Sequence, residues 1–416
     1  MKILISAYSC EPGRGSERGV GWNVAREVAK FHKVWVLTRP DESKEEIEAE
    51  LAANPIPNLN FVYFTLPFWQ DSMRWGQSGA MQLHYYLWQI QAYFVARRLH
   101  QEIGFDLIHH VTFVKYSAPS LLACLPVPFI WGPVGGGESA PPKFWQGFSL
   151  RAKLYELARD FVRNVGERDP LVRLTIKNTS VVRATTEDTA KRLYSMGASE
   201  VEIVPEVGLL SEEIAILNRF PLPSSAKTRF ISMGRLLHWK GFHLGIKAFA
   251  AANLPNAEYW IVGDGPELSN LQNLARDCGV GNRVQFWGRL SREDTLAKLG
   301  ESHVLVHPSL HDSGGWVCIE AMASGRPVIC LDIGGPAVQV TDKTGFKIEA
   351  RNPEQVVEDM ASTMVCLAKD SSLTANMGEA GRKLVNETYS WQVVGERLNS
   401  LYQKTTDSVV YRVYSS

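Results

Sequence analysis

The chain has 416 residues, 45% hydrophobic and 21% charged, the make-up of an ordinary globular protein long enough for two or three domains. Its 44 basic and 44 acidic side chains leave a formal net charge of +0, which argues against a general electrostatic binder of nucleic acid. The 6 cysteines are scattered with no C-x-x-C pair, which argues against a zinc cage or a disulfide framework and suits a reducing, cytoplasmic setting. No uninterrupted apolar run reaches membrane-spanning length, so any membrane contact is expected to be peripheral, at the inner face.

Residues 2–8 read as a buried strand, too short and too soon interrupted for a leader peptide. A loop with Gly13, Gly15, Gly19 and Gly21 follows, then a helical pattern through Trp22, Val24, Ala25 and Val28, then a strand over 33–38. Strand, glycine loop, helix, strand is the opening of a Rossmann-like unit. The loop matches a dinucleotide fingerprint only loosely, and no acid awaits a ribose at the end of the second strand. Residues 59–66 are a third strand. The aromatic-rich stretch 68–99 reads as a large helix packed on the sheet, in preference to an acceptor-binding or membrane-facing surface.

Residues 106–111 form a strand that ends in His109 and His110. Ligands of open α/β sheets bind beyond the carboxyl ends of strands, which points one of these histidines at a cleft. A strand at 128–131 runs into the glycine-rich loop 132–138. Residues 151–177 carry Arg151, Lys153, Arg159, Arg163, Arg168, Arg173 and Lys177 among apolar residues, the pattern of a basic amphipathic face for anionic lipid. Glu156, Asp160, Glu167 and Asp169 interrupt it, which makes a solvated helix face the plainer expectation. Strands at 180–185 and 201–204 close this half.

A linker is expected over 205–227, where Pro205, Pro221, Pro223, Ser224 and Ser225 gather. The pattern then restarts, with strands at 229–233, 259–262, 284–288, 304–306 and 326–331 and helices between them. Helices over 353–367, 376–386 and 391–402 follow, and residues 405–416 have little pattern and are expected to fray. The chain is thus α/β, with two Rossmann-like halves and a cleft between them: residues 1–205 with the helix 389–416 returning to them, and residues 206–388.

Residues 307–323 carry the clearest chemistry. A strand, a polar loop and a helix follow one another, with Asp312 in the loop and Glu320 on the helix. Gly314 and Gly315 stand where the helix begins, so backbone N–H groups at its positive end can approach an anion closely. Arg235 and Lys240 follow a strand at the same sheet edge, and two cations beside a helix start suit a diphosphate. There is no G-x-x-x-x-G-K-[ST] stretch and no acid–histidine cluster with metal spacing, so the cations and the dipole replace a metal ion. Glu320 is placed to accept hydrogen bonds from two ribose hydroxyls.

Gly234-Arg235-Leu236…Lys240-Gly241, Val262-Gly263-Asp264-Gly265-Pro266 and Pro308-Ser309…Asp312…Gly315…Glu320-Ala321-Met322-Ala323-Ser324-Gly325-Arg326-Pro327 resemble the retaining GT-B glycosyltransferases of family four, in order and spacing as well as in letters. The resemblance is specific in the second half and looser in the first. It implies transfer of a sugar from a nucleotide-sugar donor to a hydroxyl acceptor with retention of anomeric configuration, with no cofactor and no metal. Carried over by position, Arg235 and Lys240 hold the donor diphosphate, Glu320 binds the ribose, and Gly263, Gly314 and Gly315 line the donor. Gly15 lies near the diphosphate, and His109 or His110 faces the donor sugar, with His110 preferred. Asp312 stands where the family has the first glutamate of E-x7-E, the residue that contacts the sugar hydroxyls, and Val338 stands where the family often has an acid. The acceptor stays open among small molecules, glycans and lipid-linked glycans. The alternatives are a sugar-nucleotide epimerase or phosphorylase on the same fold, a non-catalytic nucleotide-sugar binder, and an NAD oxidoreductase.

Overall fold

The structure is a computed structural model and describes residues 1–71, 78–205, 207–223 and 227–414. Trp75 of the aromatic stretch and Ser224 and Ser225 of the linker lie outside the described residues. The chain divides into two compact units. One comprises Met1–Gly137, Arg159–Glu206 and Trp391–Ser416, the other Glu138–Ala158 and Val207–Ser390.

In chain order the elements begin with β1 (Lys2–Ala7), α1 (Ser16–Ala29), β2 (Lys33–Thr38), α2 (Pro40–Ala53), β3 (Leu59–Tyr63), α3 (Ser78–Ile103), β4 (Leu107–Thr112) and β5 (Phe129–Val134). Then come α4 (Leu150–Glu167), α5 (Pro170–Asn178), β6 (Val181–Ala184), α6 (Glu187–Ser195) and β7 (Val201–Ile203). The second half runs through α7 (Ser211–Asn218), β8 (Thr228–Met233), α8 (Phe242–Ala252), β9 (Ala257–Val262), α9 (Leu268–Asp277), β10 (Val284–Gly288) and α10 (Arg292–Gly300). It continues with β11 (Val304–His307), α11 (Trp316–Ala323), β12 (Val328–Leu331), α12 (Gly334–Gln339) and β13 (Gly345–Ile348). The chain ends with α13 (Pro353–Lys369), α14 (Ser371–Thr388) and α15 (Trp391–Tyr414).

Among the described residues, the first unit holds a 7-stranded sheet ordered β3-β2-β1-β4-β5-β6-β7 and the second a 6-stranded sheet ordered β10-β9-β8-β11-β12-β13. The pairings are parallel, as in β1 with β2 and β4, and β8 with β9 and β11. Parallel strands covered by helices on both faces are closed to solvent on both, and β4, β5, β11 and β12 are buried along their whole length.

Two expectations are corrected. Residues 138–158 belong to the second unit, not to a block 1–205, because Phe144, Phe148 and Ala152 bury in one cluster with Phe242, Phe249 and Val304. Residues 405–414, expected to fray, are helical. α15 continues to Tyr414, with Tyr402 fully buried in the first unit and its hydroxyl 2.6 Å from His109 Nδ1. Two elements carry too little apolar pattern to be read. In α2 only Ser43 and Ile47 are buried, and β13 is an edge strand whose middle residues are part-exposed.

Arg326 is a further core element of the second unit. Its guanidinium is fully buried and donates to the carbonyls of Ser302, Ser324, Gly300, Phe220 and Pro221. Burial pushes it down to about 10, still cationic at neutral pH.

Candidate active site

The order of the second sheet places β9 on one side of β8 and β11 on the other. A crevice opens where connections leave a central strand pair in opposite directions, and ligands collect there. The loops after β8, β9 and β11 meet at this point. Leu236 N–H donates to Asp264 O at 2.9 Å and Leu310 N–H to Trp239 O at 2.7 Å. Gly241 closes the junction with φ +67°, and a Cβ there would lie 1.8 Å from Pro308 O, so only glycine fits.

A cavity of about 680 Å³ opens along these loops, lined by Gly234, Arg235, Gly263, Arg289, Arg292 and Glu320 among others. Arg235 is exposed, and no ion pair ties it among the described residues. Gly263 lines the cavity, but its N–H is taken by Gly288 O at 2.8 Å, so it supplies clearance and not a donor. Glu320 is nearly fully buried on α11, and Arg292 Nη1 reaches its Oε1 at 2.5 Å. Burial pushes the Glu320 carboxyl up and the Arg292 guanidinium opposes that shift. Arg292 has no counterpart in the sequence reading. It starts α10 behind the Ser291 cap, and nothing in the letters points it at a residue 28 positions away.

At the start of α11 the expected free N–H groups are already engaged. Asp312 Oδ1 accepts from Gly314 N–H at 3.3 Å and from Gly315 N–H at 3.2 Å. Its Oδ2 takes Lys240 Nζ and lies 3.2 Å from His307 Nε2. A carboxylate has about four lone-pair directions, and these four partners use them. Burial raises the Asp312 carboxyl, but the His307 and Lys240 contacts outweigh it and hold the group well below the usual carboxylate range. Asp312 thus organises the loop and grips Lys240, and this geometry leaves it no lone pair for sugar hydroxyls. Gly315 has φ +56°, and Gln339 donates to Gly314 O from behind.

A second layer, unread in the sequence, comes from residues 138–158. Ser313 Oγ donates to Glu138 Oε2 at 2.8 Å. Glu156, with no side-chain exposure, has His238 Nε2 at 3.1 Å and His311 Nε2 at 3.4 Å. One buried acid therefore fixes residues adjoining both Lys240 and Asp312. Trp239 is sandwiched between Tyr155 and His311, with centroids 5.3 and 5.0 Å away.

In the first unit the equivalent reversal lies between β1 and β4. Gly15 precedes α1, is exposed and has open space around it. Glu17 accepts the N–H of Phe113, which joins the loops after the two strands. His109 and His110 lie on β4 and both are buried. Successive strand residues face opposite sides of the sheet, and both sides here are covered. His109 has Tyr402 Oη at 2.6 Å and Gly132 O at 2.7 Å, so both ring nitrogens are committed. His110 Nε2 lies 3.1 Å from Thr112 O, and its Nδ1 has no partner among the described residues. Burial pushes both down, to about 3 for His109 and about 4 for His110, so both are neutral at pH 7.

Residues 217–384 match the model of the glycosyl transferases group 1 family. The match lies within the second unit and spans less than half of the chain. The chain is 30% identical over 221 residues to a lipopolysaccharide core biosynthesis glycosyltransferase, LpsE, of Rhizobium meliloti, covering 52% of this chain and 62% of that one. It is 35% identical over 178 residues to a GDP-mannose-dependent monoacylated alpha-(1-6)-phosphatidylinositol monomannoside mannosyltransferase of Corynebacterium glutamicum, covering 41% and 45%. The chain therefore spans about half to three-fifths of these relatives. Among solved structures it is similar to sucrose-phosphate synthase of Thermosynechococcus elongatus, with a TM-score of 0.64, 19% identity, and 98% and 99% of the two chains covered. It is also similar to Anabaena HepE in complex with UDP and glucose, with a TM-score of 0.59, 18% identity, and 97% and 100% covered. The fold is GT-B, and the matched residues 217–384 include Arg235, Lys240, Gly263, Asp312, Gly314, Gly315 and Glu320.

Proposed function

We propose that this chain transfers a sugar from a nucleoside diphosphate sugar to a hydroxyl acceptor, with retention and without a metal ion. The observation that carries the reading is the cavity at the β8/β11 reversal. It holds three guanidinium groups, and Arg235 among them has no acid partner among the described residues. A nucleoside diphosphate fits such a place: ribose toward Glu320, phosphates toward Arg235 and Lys240. Negative charge builds on the departing phosphate in the transition state, and fixed cations there lower the barrier without reorganising. Asp312 acts in this reading by holding Lys240, and Glu156 by holding the segments on either side. A front-face attack, in which the leaving phosphate oxygen takes the acceptor proton, needs only these cations and positioning. The names of two similar proteins support the donor class, one GDP-mannose-dependent and one seen with UDP. The acceptor is a hydroxyl-bearing small molecule, glycan or lipid-linked glycan, and the protein works peripherally at a cytoplasmic membrane face.

The test is a thermal-shift screen with UDP-, GDP-, ADP- and TDP-sugars, since a ligand of the native state raises its stability. One donor is expected to stabilise the chain, and Arg235→Ala to lower turnover with it roughly 10²–10³-fold. Wild-type turnover in that variant refutes the assignment. A donor sugar altered in the absence of acceptor indicates an epimerase, and binding without transfer across an acceptor panel indicates a non-catalytic binder.

A further inference from the structure

Arg292 lines the same cavity as Arg235 but is committed differently. Its Nη1 lies 2.5 Å from Glu320 Oε1 and its Nη2 3.3 Å from Glu213 Oε1, so both terminal nitrogens face carboxylates. Glu213 is itself fixed. It stands in the first turn of α7, and its Oε2 accepts the Leu210 N–H at 3.1 Å. Arg292 opens α10 directly behind Ser291, whose hydroxyl accepts the Asp294 N–H at 3.0 Å and caps the helix. Helix cap, acid, guanidinium and acid form one run of contacts within a single compact unit. The run ends on Glu320, whose side chain is 4% exposed and whose Oε2 has no hydrogen-bond partner among the described residues. A guanidinium held between two carboxylates is not spare for a phosphate. A carboxylate that has lost most of its water needs such a partner to stay charged.

We infer that Arg292 is a positioning residue for the donor ribose: by holding Glu320 Oε1 it presents Oε2 to the cavity and fixes the carboxylate as an acceptor for two neighbouring hydroxyls. Oε1 keeps a lone-pair direction beside the guanidinium, so each oxygen can take one hydroxyl. A long side chain already held in place pays little further ordering cost when the ligand arrives. A ribose satisfies both acceptors, whereas a 2′-deoxyribose leaves one prepared and nearly buried acceptor unpaired. Sites built to bond a hydroxyl reject the analogue that lacks it for this reason. Arg292 therefore sets how sharply the site separates ribose from deoxyribose. The inference rests on the donor-site reading proposed above and adds to it the group that prepares Glu320.

The experiment is titration calorimetry of the full chain with UDP, GDP and ADP, each beside its 2′-deoxy counterpart. The wild-type chain is expected to bind one ribonucleotide more tightly than its deoxy form, by about tenfold or more. Arg292→Ala is expected to weaken the ribonucleotide far more than the deoxy form and so bring the two within about threefold of each other. Arg292→Lys keeps a cation near Glu320 and is expected to restore part of the preference. Glu213→Gln leaves Glu320 paired, so it reads the same effect in smaller measure even where Arg292→Ala does not fold. An undiminished preference for ribose in Arg292→Ala, or in Glu213→Gln where Arg292→Ala does not fold, overturns the role of Arg292 and leaves the donor-site reading standing. Equal weakening of both forms also overturns it and assigns Arg292 to the phosphates or to the fold. A wild-type chain that binds both forms alike, with Glu320→Gln harmless, overturns the ribose assignment and this inference together. A wild-type chain that binds no nucleotide overturns the donor-site reading itself.

Discussion

Asp312 and Glu320 begin as two similar acids and the structure gives them different work. Glu320 lines the cavity under a single guanidinium, whereas Asp312 has its oxygens shared among Lys240, His307 and two backbone N–H groups. An aspartate is one methylene shorter than a glutamate, and at this length the carboxylate reaches its own loop's backbone. His109 and His110 carry a residue-scale prediction about pH. Their native values are depressed to about 3 and about 4, below the ordinary 6.5. The unfolded chain therefore binds more protons than the native one between those values, and stability falls as the pH falls. The contribution is complete above pH 6.5 and fades toward pH 3–4. At pH 5 the loss is on the order of 1–2 kcal/mol per histidine. Urea unfolding at pH 7 and pH 5 reads it, and His110→Asn should show a smaller drop between the two; an equal drop counts against a neutral buried His110.

At the scale of elements, the site depends on how closely three loops approach one another. Gly241 lies at the end of the 3-10 turn His238–Lys240 and faces Pro308 O at a distance that admits no side chain. Gly241→Ala has to move the loop that carries Lys240 or the one that carries Asp312, and it adds a left-handed conformation unfavourable to alanine. A loss of about 2–4 kcal/mol is expected in chemical denaturation, with donor affinity falling in parallel. A stable variant with intact donor binding shows the junction to be more yielding than its contacts imply. The same scale explains why residues 138–158 escape a linear division. A chain reading cuts at a proline-rich linker, but these residues have apolar side chains that match the second unit's core.

For the whole molecule, two parallel sheets each place a strand-order reversal beside their glycine-bearing loops, at β1/β4 and at β8/β11. The second reversal gathers cations, and electrostatic stabilisation by side chains predicts that turnover with the identified donor survives excess EDTA within about twofold. A loss that magnesium or manganese restores places a metal ion in the mechanism and removes Arg235 and Lys240 as sufficient counter-charges.

The sequence by itself determined the alternation of strands and helices, the two-unit plan and the glycines and cations that gather after the strands of the second half. Those features are written locally: apolar runs mark strands covered on both faces, and glycines and cations stand at fixed offsets after them. Tertiary structure alone decided which acid meets which cation, since Arg292 with Glu320 and Lys240 with Asp312 are 28 and 72 positions apart. It also closed β4 over both histidines, and it turned Glu156 of α4 inward. Whether a helix face meets a core or water depends on what the rest of the chain packs against it, and residues 151–177 hold no record of that.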